Sequence, residues 1–445
     1  WRCLIMKQLF KSISSTLFDS LKEGEILSVS LSGENSQFIR LSKAKIRQTG
    51  LVHDFDLGLK MIHNGRTVSG GITLSGHSEF DEAQSLEILG NLREEIVQLP
   101  EDPFIVIPKG SPSSDEIQTA NGLHIDDAVG ALIPAMADAD LVGIWASGKI
   151  YRGNANSLGQ FHWFETDSFS LDYSLVTPNH QMVKGTFSGQ DWNQDEYEKN
   201  IANSVRKLTL MDRKPVKVTP GDYRTWFEPE AVSDFLGMFS WYGISEGAIQ
   251  RRSSSFGKMR YDGVKLSPHF SLDEDFTSGL VPKFNNLGEI ANPNLPLIKN
   301  GELINGLVSS RTASEFGVVS NFAESGEYLR APKMNTGDLN SDSVVDAIGD
   351  GLFLSNIHYL NWSDNAGGRV TGLTRYACFK VENGELVAPI ETMRFDDTIY
   401  RYFGTELEAV GDEVKIIPEI ETYNGREIGG TICPGILVNA FSLTL

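Results

Sequence analysis

Apolar positions along the first third of the chain alternate between two periods, and each change of period predicts an element. From Ile5 to Leu21 they recur at Leu9, Ile13, Leu17 and Leu21, the stripe of a helix with 3.6 residues per turn. The period falls to two at Leu27, Val29 and Leu31, and again at Leu57, Leu59 and Met61, as strands require. Asn64-Gly65 predicts a type I′ hairpin turn, whose two central residues both need positive φ. Asp81 opens a second predicted helix, with Leu89, Leu92, Ile96 and Leu99 on its inner face and Pro100 ending it. A third spans Asp126–Ala139, with Val129, Leu132 and Met136 inward.

A long β region follows. Ile144–Tyr151 and Gln160–Phe164 read as strands flanking a turn at Gly153–Ser157, and Phe169, Leu171, Tyr173 and Leu175 alternate without a break. Asp191–Leu210 returns to helix, with Tyr197, Ile201, Val205 and Leu208 facing in. Pro215, Pro220 and Gly221 then break the pattern, so the chain divides into 1–212 and 213–445. The second part opens with a helix, Pro229–Tyr242, whose buried stripe is Val232, Phe235 and Phe239 and whose proline suits the first turn. Asn300-Gly301, Asn383-Gly384 and Asn424-Gly425 repeat the turn chemistry of Asn64-Gly65. Asp338–Ile348 reads as a short helix in a polar linker. Gly351–Leu360, Val370–Val381 and Leu386–Phe395 read as three consecutive strands. The predicted class is α+β: an N-terminal α/β domain, then a β-rich C-terminal domain forming a curled sheet or open barrel.

Composition narrows the function classes. The chain of 445 residues has 39 Lys and Arg against 59 Asp and Glu, a formal net charge of −20. Phosphate backbones need clustered cations, so a nucleic-acid partner is not expected. No apolar run reaches the length of a membrane span. Trp1–Phe10 lacks a secretory pattern, its longest apolar run being Cys3–Met6, and Met6 reads as a natural initiator. Cys3, Cys378 and Cys433 form no CxxC pair, which points to neither a zinc knuckle nor a disulfide framework and fits a reducing cytoplasm.

Candidate chemistry is sparse. None of the eight histidines precedes a glutamate, and no two lie three to five residues apart, so the helical zinc-hydrolase pattern is absent. Asp338–Asp342 begins like a calcium loop but has Ser343 and Gly349 where Gly and Glu are needed. Neither Gly-x-Ser-x-Gly nor a P-loop occurs. Cys378, in mid-strand, reads as a packing cysteine. The densest polar cluster, His358–Arg369, reads as a long Gly-rich loop between strands. With Arg375 and Cys378 close behind, it offers His358, Asn361, Asp364, Arg369, Arg375 and Cys378 as peptide-contacting candidates. An ordinary solvated turn is the competing reading. A hydrolytic site around His358, Asp364 and Cys378, or a homodimeric peptide-binding scaffold, are the alternative functions.

Several stretches carry a family likeness. They are Phe38-Ile39-Arg40 followed by Gln48-Thr49-Gly50, Leu99–Pro103, Tyr151–Gly159, Thr371–Arg375, Glu382–Glu385 and Pro434. In that order and spacing the chain resembles the TldD/PmbA family, the modulators of DNA gyrase. The resemblance implies a dimeric protein with an α/β first domain and a β-rich second. One branch consists of zinc peptidases acting on unfolded peptides, with His-Glu-x-x-x-His on a helix early in the second domain and a cysteine ligand near the C-terminus. Here that stretch is Pro229-Glu230-Ala231-Val232-Ser233-Asp234. Glu230 keeps its register, both histidine positions are replaced, and Cys433 falls in the right region but off the matching position. The chain looks like the PmbA/TldE side of the family. What this implies is a vestigial site at Pro229, Glu230 and Asp234, no metal or cofactor of its own, and a homodimer or a heterodimer with a zinc-bearing TldD-like subunit.

Overall fold

The computed structural model describes residues 2–137 and 139–444, with side chains from Met6 onward; Trp1 and the Cys3 thiol lie outside the described residues. The N-terminal part builds one sheet from β1 (Ile26–Ser42), β2 (Lys45–His63), β3 (Arg66–Thr73), β4 (Ser114–Gln118), β5 (Leu141–Asn156), β6 (Phe161–Val176) and β7 (Met182–Gly189). Its order is β3-β2-β1-β5-β6-β4, with β7 also on β6. Only β4 runs parallel to its neighbour β6. The predicted turn at Asn64-Gly65 is present, with φ of 48° and 70°.

Strand alternation decides what lies on each face of this sheet. Odd-numbered residues of β1, β5 and β6 point to the helices. Helices α1 (Arg2–Asp19) and α2 (Ser78–Ile96) set Phe10, Ile13, Leu89 and Leu92 against Val29, Leu31, Tyr151 and Trp163. Helices α3 (Ala128–Met136) and α4 (Gln194–Met211) set Leu132, Tyr197 and Ile201 against Trp145, Leu171 and Tyr173. Even-numbered residues, among them Ser30, Glu34, Ser36, Asn154 and His162, point the other way. A period of two therefore separates a helix-packed face from one that meets the rest of the chain.

From Gly221 onward two further sheets form. One has the order β11-β10-β9-β12-β19-β18, built from β9 (Leu272–Asp275), β10 (Asn294–Lys299), β11 (Glu302–Leu303), β12 (Pro332–Met334), β18 (Lys415–Pro418) and β19 (Gly430–Cys433). The other contains β8 (Gly221–Phe227), β13 (Gly351–Asp364), β14 (Arg369–Glu382), β15 (Glu385–Pro389), β16 (Arg394–Thr398), β17 (Leu407–Val410) and β20 (Ile436–Leu443). Its path β13-β8-β20-β16-β14 is completed by a β13–β14 pairing. The curled sheet thus closes into a ring of five strands, with β15 and β17 attached outside that path. Helix α5 (Pro229–Ser240) plugs this part with Val232, Phe235 and Phe239. Phe235 lies 5.6–5.9 Å from the rings of Phe227, Phe395, Tyr402 and Phe403.

The structure corrects several sequence expectations. Gly153–Asn156 continues β5, and the turn comes only after it; small residues suit an inner strand as well as a turn. Val129 and Val205 are exposed. On α4 the inward position is Ser204, whose hydroxyl meets the buried Tyr173 hydroxyl at 2.8 Å, because a buried phenol needs a polar partner. Leu99, beyond the end of α2, is half-buried. Asn424-Gly425 joins no hairpin: Gly425 has φ 136° and the segment crosses to the first sheet. Residues 358–364 belong to β13, leaving 365–368 as the turn. Their alternation of half-buried and exposed positions is a strand pattern that a crowd of polar residues obscured.

Candidate functional site

Helix α5 opens directly after β8, with Pro229 at its first turn, where the missing N–H costs nothing. Glu230 and Asp234 stand one turn apart on one face. Gly237, one turn further, lines a cleft of about 930 Å³ between the even face of the first sheet and α5. Gly71–Thr73 of the edge strand β3, Asn154 of β5, Phe284, Arg330 and Glu427 also line it.

The carboxylates at the start of α5 are held by lysines. Lys415 Nζ lies 3.2 Å from Glu230 Oε1, and Lys207 of α4 donates to Glu228 at 2.6 Å. Burial works to raise the Glu230 carboxyl, but Lys415 and Lys207 together hold it below its ordinary value. The same pairing raises Lys415. Asp234 differs: solvent reaches it, yet protein hems it in. That crowding, with the neighbouring Glu230 charge, pushes its carboxyl up to about 7. Burial, with Glu230 and Asp234 nearby, likewise raises the Cys433 thiol, which donates to the Pro229 carbonyl at 3.3 Å. Tertiary packing therefore brings Cys433 to the first residue of α5, a proximity its spacing in sequence concealed.

A zinc ion, which the family likeness implies for other members, does not fit here. Proline offers no donor, one Glu230 oxygen is committed to Lys415, and the Cys433 proton is engaged by a carbonyl. Among the described residues no three His, Cys, Asp or Glu side chains group as a metal site.

Asp234 gives a pH dependence with a definite sign. Its folded value near 7 lies above the ordinary 3.8, so folding favours its protonated form. That contribution is full below about pH 4 and is lost as pH rises through 7. Between pH 5 and pH 8 the melting temperature of the native protein should fall more than that of Asp234→Asn. Equal slopes in thermal melts would refute this.

The six peptide-contacting candidates do not assemble into one site. Asp364 accepts the Gly367 N–H at 3.0 Å within its own turn, and Arg369 is paired with Asp396. The His358 ring lies against Tyr359, and Asn361 is exposed. His358 faces Leu373 while Cys378 faces Leu354, so the two are separated along the hairpin. Arg375 and Cys378 do share a crevice of about 380 Å³, with His180 and Glu391. Cys378 itself is buried and donates to the Arg375 carbonyl at 3.1 Å. Burial pushes its thiol up to about 12, the opposite of an activated nucleophile.

Sequence reasoning missed Lys415, Asn154, Arg330 and Arg426. Asn154 carried a signal, since its even position in an alternating strand marks it for the face opposite the helices. The other three lie on short strands and loops without periodicity.

This second half is a domain of metallopeptidase type: residues 220–445 match the PmbA/TldA metallopeptidase C-terminal domain. The chain belongs to the PmbA/TldD family. No curated protein sequence matches it. Solved structures share its fold over almost the whole length. A candidate modulator of a DNA gyrase from Thermotoga maritima is 17% identical, with TM-score 0.75 over 98% of this chain and 100% of its own. TldE from Thermococcus kodakarensis is 14% identical, with TM-score 0.76 over 99% and 100%. A candidate modulator of DNA gyrase from Bacteroides thetaiotaomicron is 15% identical, with TM-score 0.76 over 98% of each chain. No described helix is long and apolar enough to cross a membrane.

Proposed function

We propose that this chain is a non-catalytic or regulatory subunit of a metallopeptidase system, binding unfolded peptides in the cleft beside α5 while a zinc-bearing TldD-like subunit supplies the chemistry. The observation that carries the reading is the Lys415–Glu230 pair at 3.2 Å. The glutamate that would serve as base to a metal-bound water is here tied to an ammonium, with Pro229 and Asp234 at the flanking ligand positions. A cleft of about 930 Å³ walled partly by the edge strand β3 supports the peptide reading, because an edge strand offers main-chain hydrogen bonds to an extended chain whatever its sequence. On this reading 1–212 and 213–445 act as two domains enclosing the cleft, the protein works as a dimer, and its place is the cytoplasm.

The test is metal analysis with a peptidase assay on the purified chain and on the chain co-expressed with a zinc-bearing family member. Alone, it should carry less than about a tenth of an equivalent of zinc and cleave no unfolded peptide; the complex should bind zinc and cleave. Stoichiometric zinc with cleavage by the chain alone would overturn the reading.

A further inference from the structure

Strand β2 outruns its neighbour β3. Pairing with β3 begins only at Asp56, opposite Thr73, whereas β1 pairs with β2 from Lys45 onward. From Lys45 to Asp54, β2 is therefore an open edge of the first sheet. Every residue of that stretch is exposed except the half-buried Val52, and Leu51 is 73% exposed.

The ladder fixes which main-chain groups face outward. The turn at Asn64-Gly65 makes His63 and Arg66 a hydrogen-bonded pair, so odd residues of β2 bond to β3 and even ones to β1. Continuing that alternation, Thr49, Leu51 and His53 direct their N–H and C=O groups away from β1, where no strand follows among the described residues. Phe55, next in the series, confirms the direction, because its carbonyl accepts the Leu74 N–H at 2.7 Å. An open edge of this kind is a template for another strand.

Charge selects the strand. The edge is basic at one end, with Lys43, Lys45 and Arg47, and acidic at the other, with Asp54 and Asp56. None of Lys43, Lys45, Arg47 and Asp54 has an ion-pair partner among the described residues. When two identical strands pair antiparallel about a two-fold axis, each end meets the opposite end of the other. The edge is thus complementary to itself.

We propose that a second copy of this chain adds to the β2 edge, antiparallel about a two-fold axis through Gly50, so that two sheets become one. That register keeps outward-facing residues opposite one another, Thr49 against Leu51 of the second copy. It brings Arg47 beside the second copy's Asp54 at both ends. Gly50 meets its own equivalent in a pair without hydrogen bonds, and a Cβ there would meet nothing within 4 Å in the single chain. This pairing gives the dimer of the reading above its contact surface, and rests on that reading.

The test is a charge exchange in the full-length protein, read by sedimentation velocity from about 1 to about 100 µM. The native chain should be dimeric in the upper part of that range. Arg47→Asp and Asp54→Arg, each alone, should dimerise at least about tenfold more weakly, because like charges then meet at both ends. Mixed in equal amounts, the two variants should associate as the native chain does. In a Cys3→Ser background, Gly50→Cys should oxidise to a covalent dimer, since such pairs stand about 4.5 Å apart, within disulfide reach. Cys378 and Cys433 are buried and do not compete. The cross-link decides the matter if a charge variant folds poorly. A native dimer that both charge variants leave unchanged, or a Gly50→Cys chain that stays single on a non-reducing gel, would overturn this contact and leave the dimer reading standing. A chain that is monomeric alone and pairs only with a zinc-bearing family member would also overturn it, with the functional reading intact. A chain monomeric in both settings overturns the dimer reading as well.

Discussion

Replacing Arg426 by methionine should cost about 3–5 kcal/mol of folding stability, the range for removing one partner of a buried charged network. Arg426 is 7% exposed and sits on the segment between β18 and β19. Its guanidinium donates to Ser36 of β1 and to the Gly148 carbonyl of β5, each at 3.2 Å, and to the carbonyl and hydroxyl of Ser168 on β6, each at 3.0 Å. Its backbone N–H donates to Glu34 Oε1 at 3.0 Å. Gly148 and Ser168 face each other across β5 and β6. Gly148 must be glycine there, since its φ is 129° and a Cβ would stand 2.2 Å from the Asn35 carbonyl oxygen. Burial lowers the arginine only to about 10, so it remains charged at neutral pH, and its removal leaves the Gly148 and Ser168 carbonyls without this donor and takes one nearby cation from Glu34, which is 4% exposed. Methionine fills similar space and isolates the loss of charge and donors. Guanidinium denaturation followed by tryptophan fluorescence measures the effect. A loss under about 1 kcal/mol would mean that the segment does not need this anchor. Because Glu427 and Ile428 line the cleft beside it, the same variant should also weaken peptide binding.

Lys415→Met should destabilise the protein by about 2 kcal/mol, less than a fully buried pair because the lysine side chain is 48% exposed and partly screened. Glu230, with its side chain 13% exposed, would lose its nearest cation while keeping its charge. Adding Glu230→Gln in the same chain should restore most of that loss, since the orphaned charge goes with it. The four-protein cycle by chemical denaturation reads the coupling directly. Additive losses would show that the two side chains are neighbours without being partners. The cycle also bears on the proposed function, which takes the Lys415–Glu230 pair as its supporting observation.

Much of the framework was legible in the residues. Leu9, Ile13 and Leu17 declared α1, Phe169 to Leu175 declared β6, and Val232, Phe235 and Phe239 declared α5, because period and burial are local consequences of helix and strand geometry. The start of α5 at Pro229–Asp234 was legible for the same reason, as contiguous residues on one helix. The misreadings have physical causes too. Gly153–Asn156 carries turn-like residues in a strand, and 358–364 carries loop-like polarity in a strand. In both, pairing with neighbouring strands overrode local preference.

By itself, then, the sequence determined the long periodic elements such as α1, β6 and α5, the α+β class, the acidic charge and the presence of Pro229, Glu230 and Asp234 at the start of α5. Only the tertiary structure decided the partners: Lys415 against Glu230 across 185 residues, Arg426 against Ser36 across 390, Cys433 against Pro229 across 204. Periodicity records which side of an element is buried, whereas an ion pair or a cleft wall depends on which elements meet. That meeting is set by the closing of the ring around α5 and by the even face of the first sheet turning toward it.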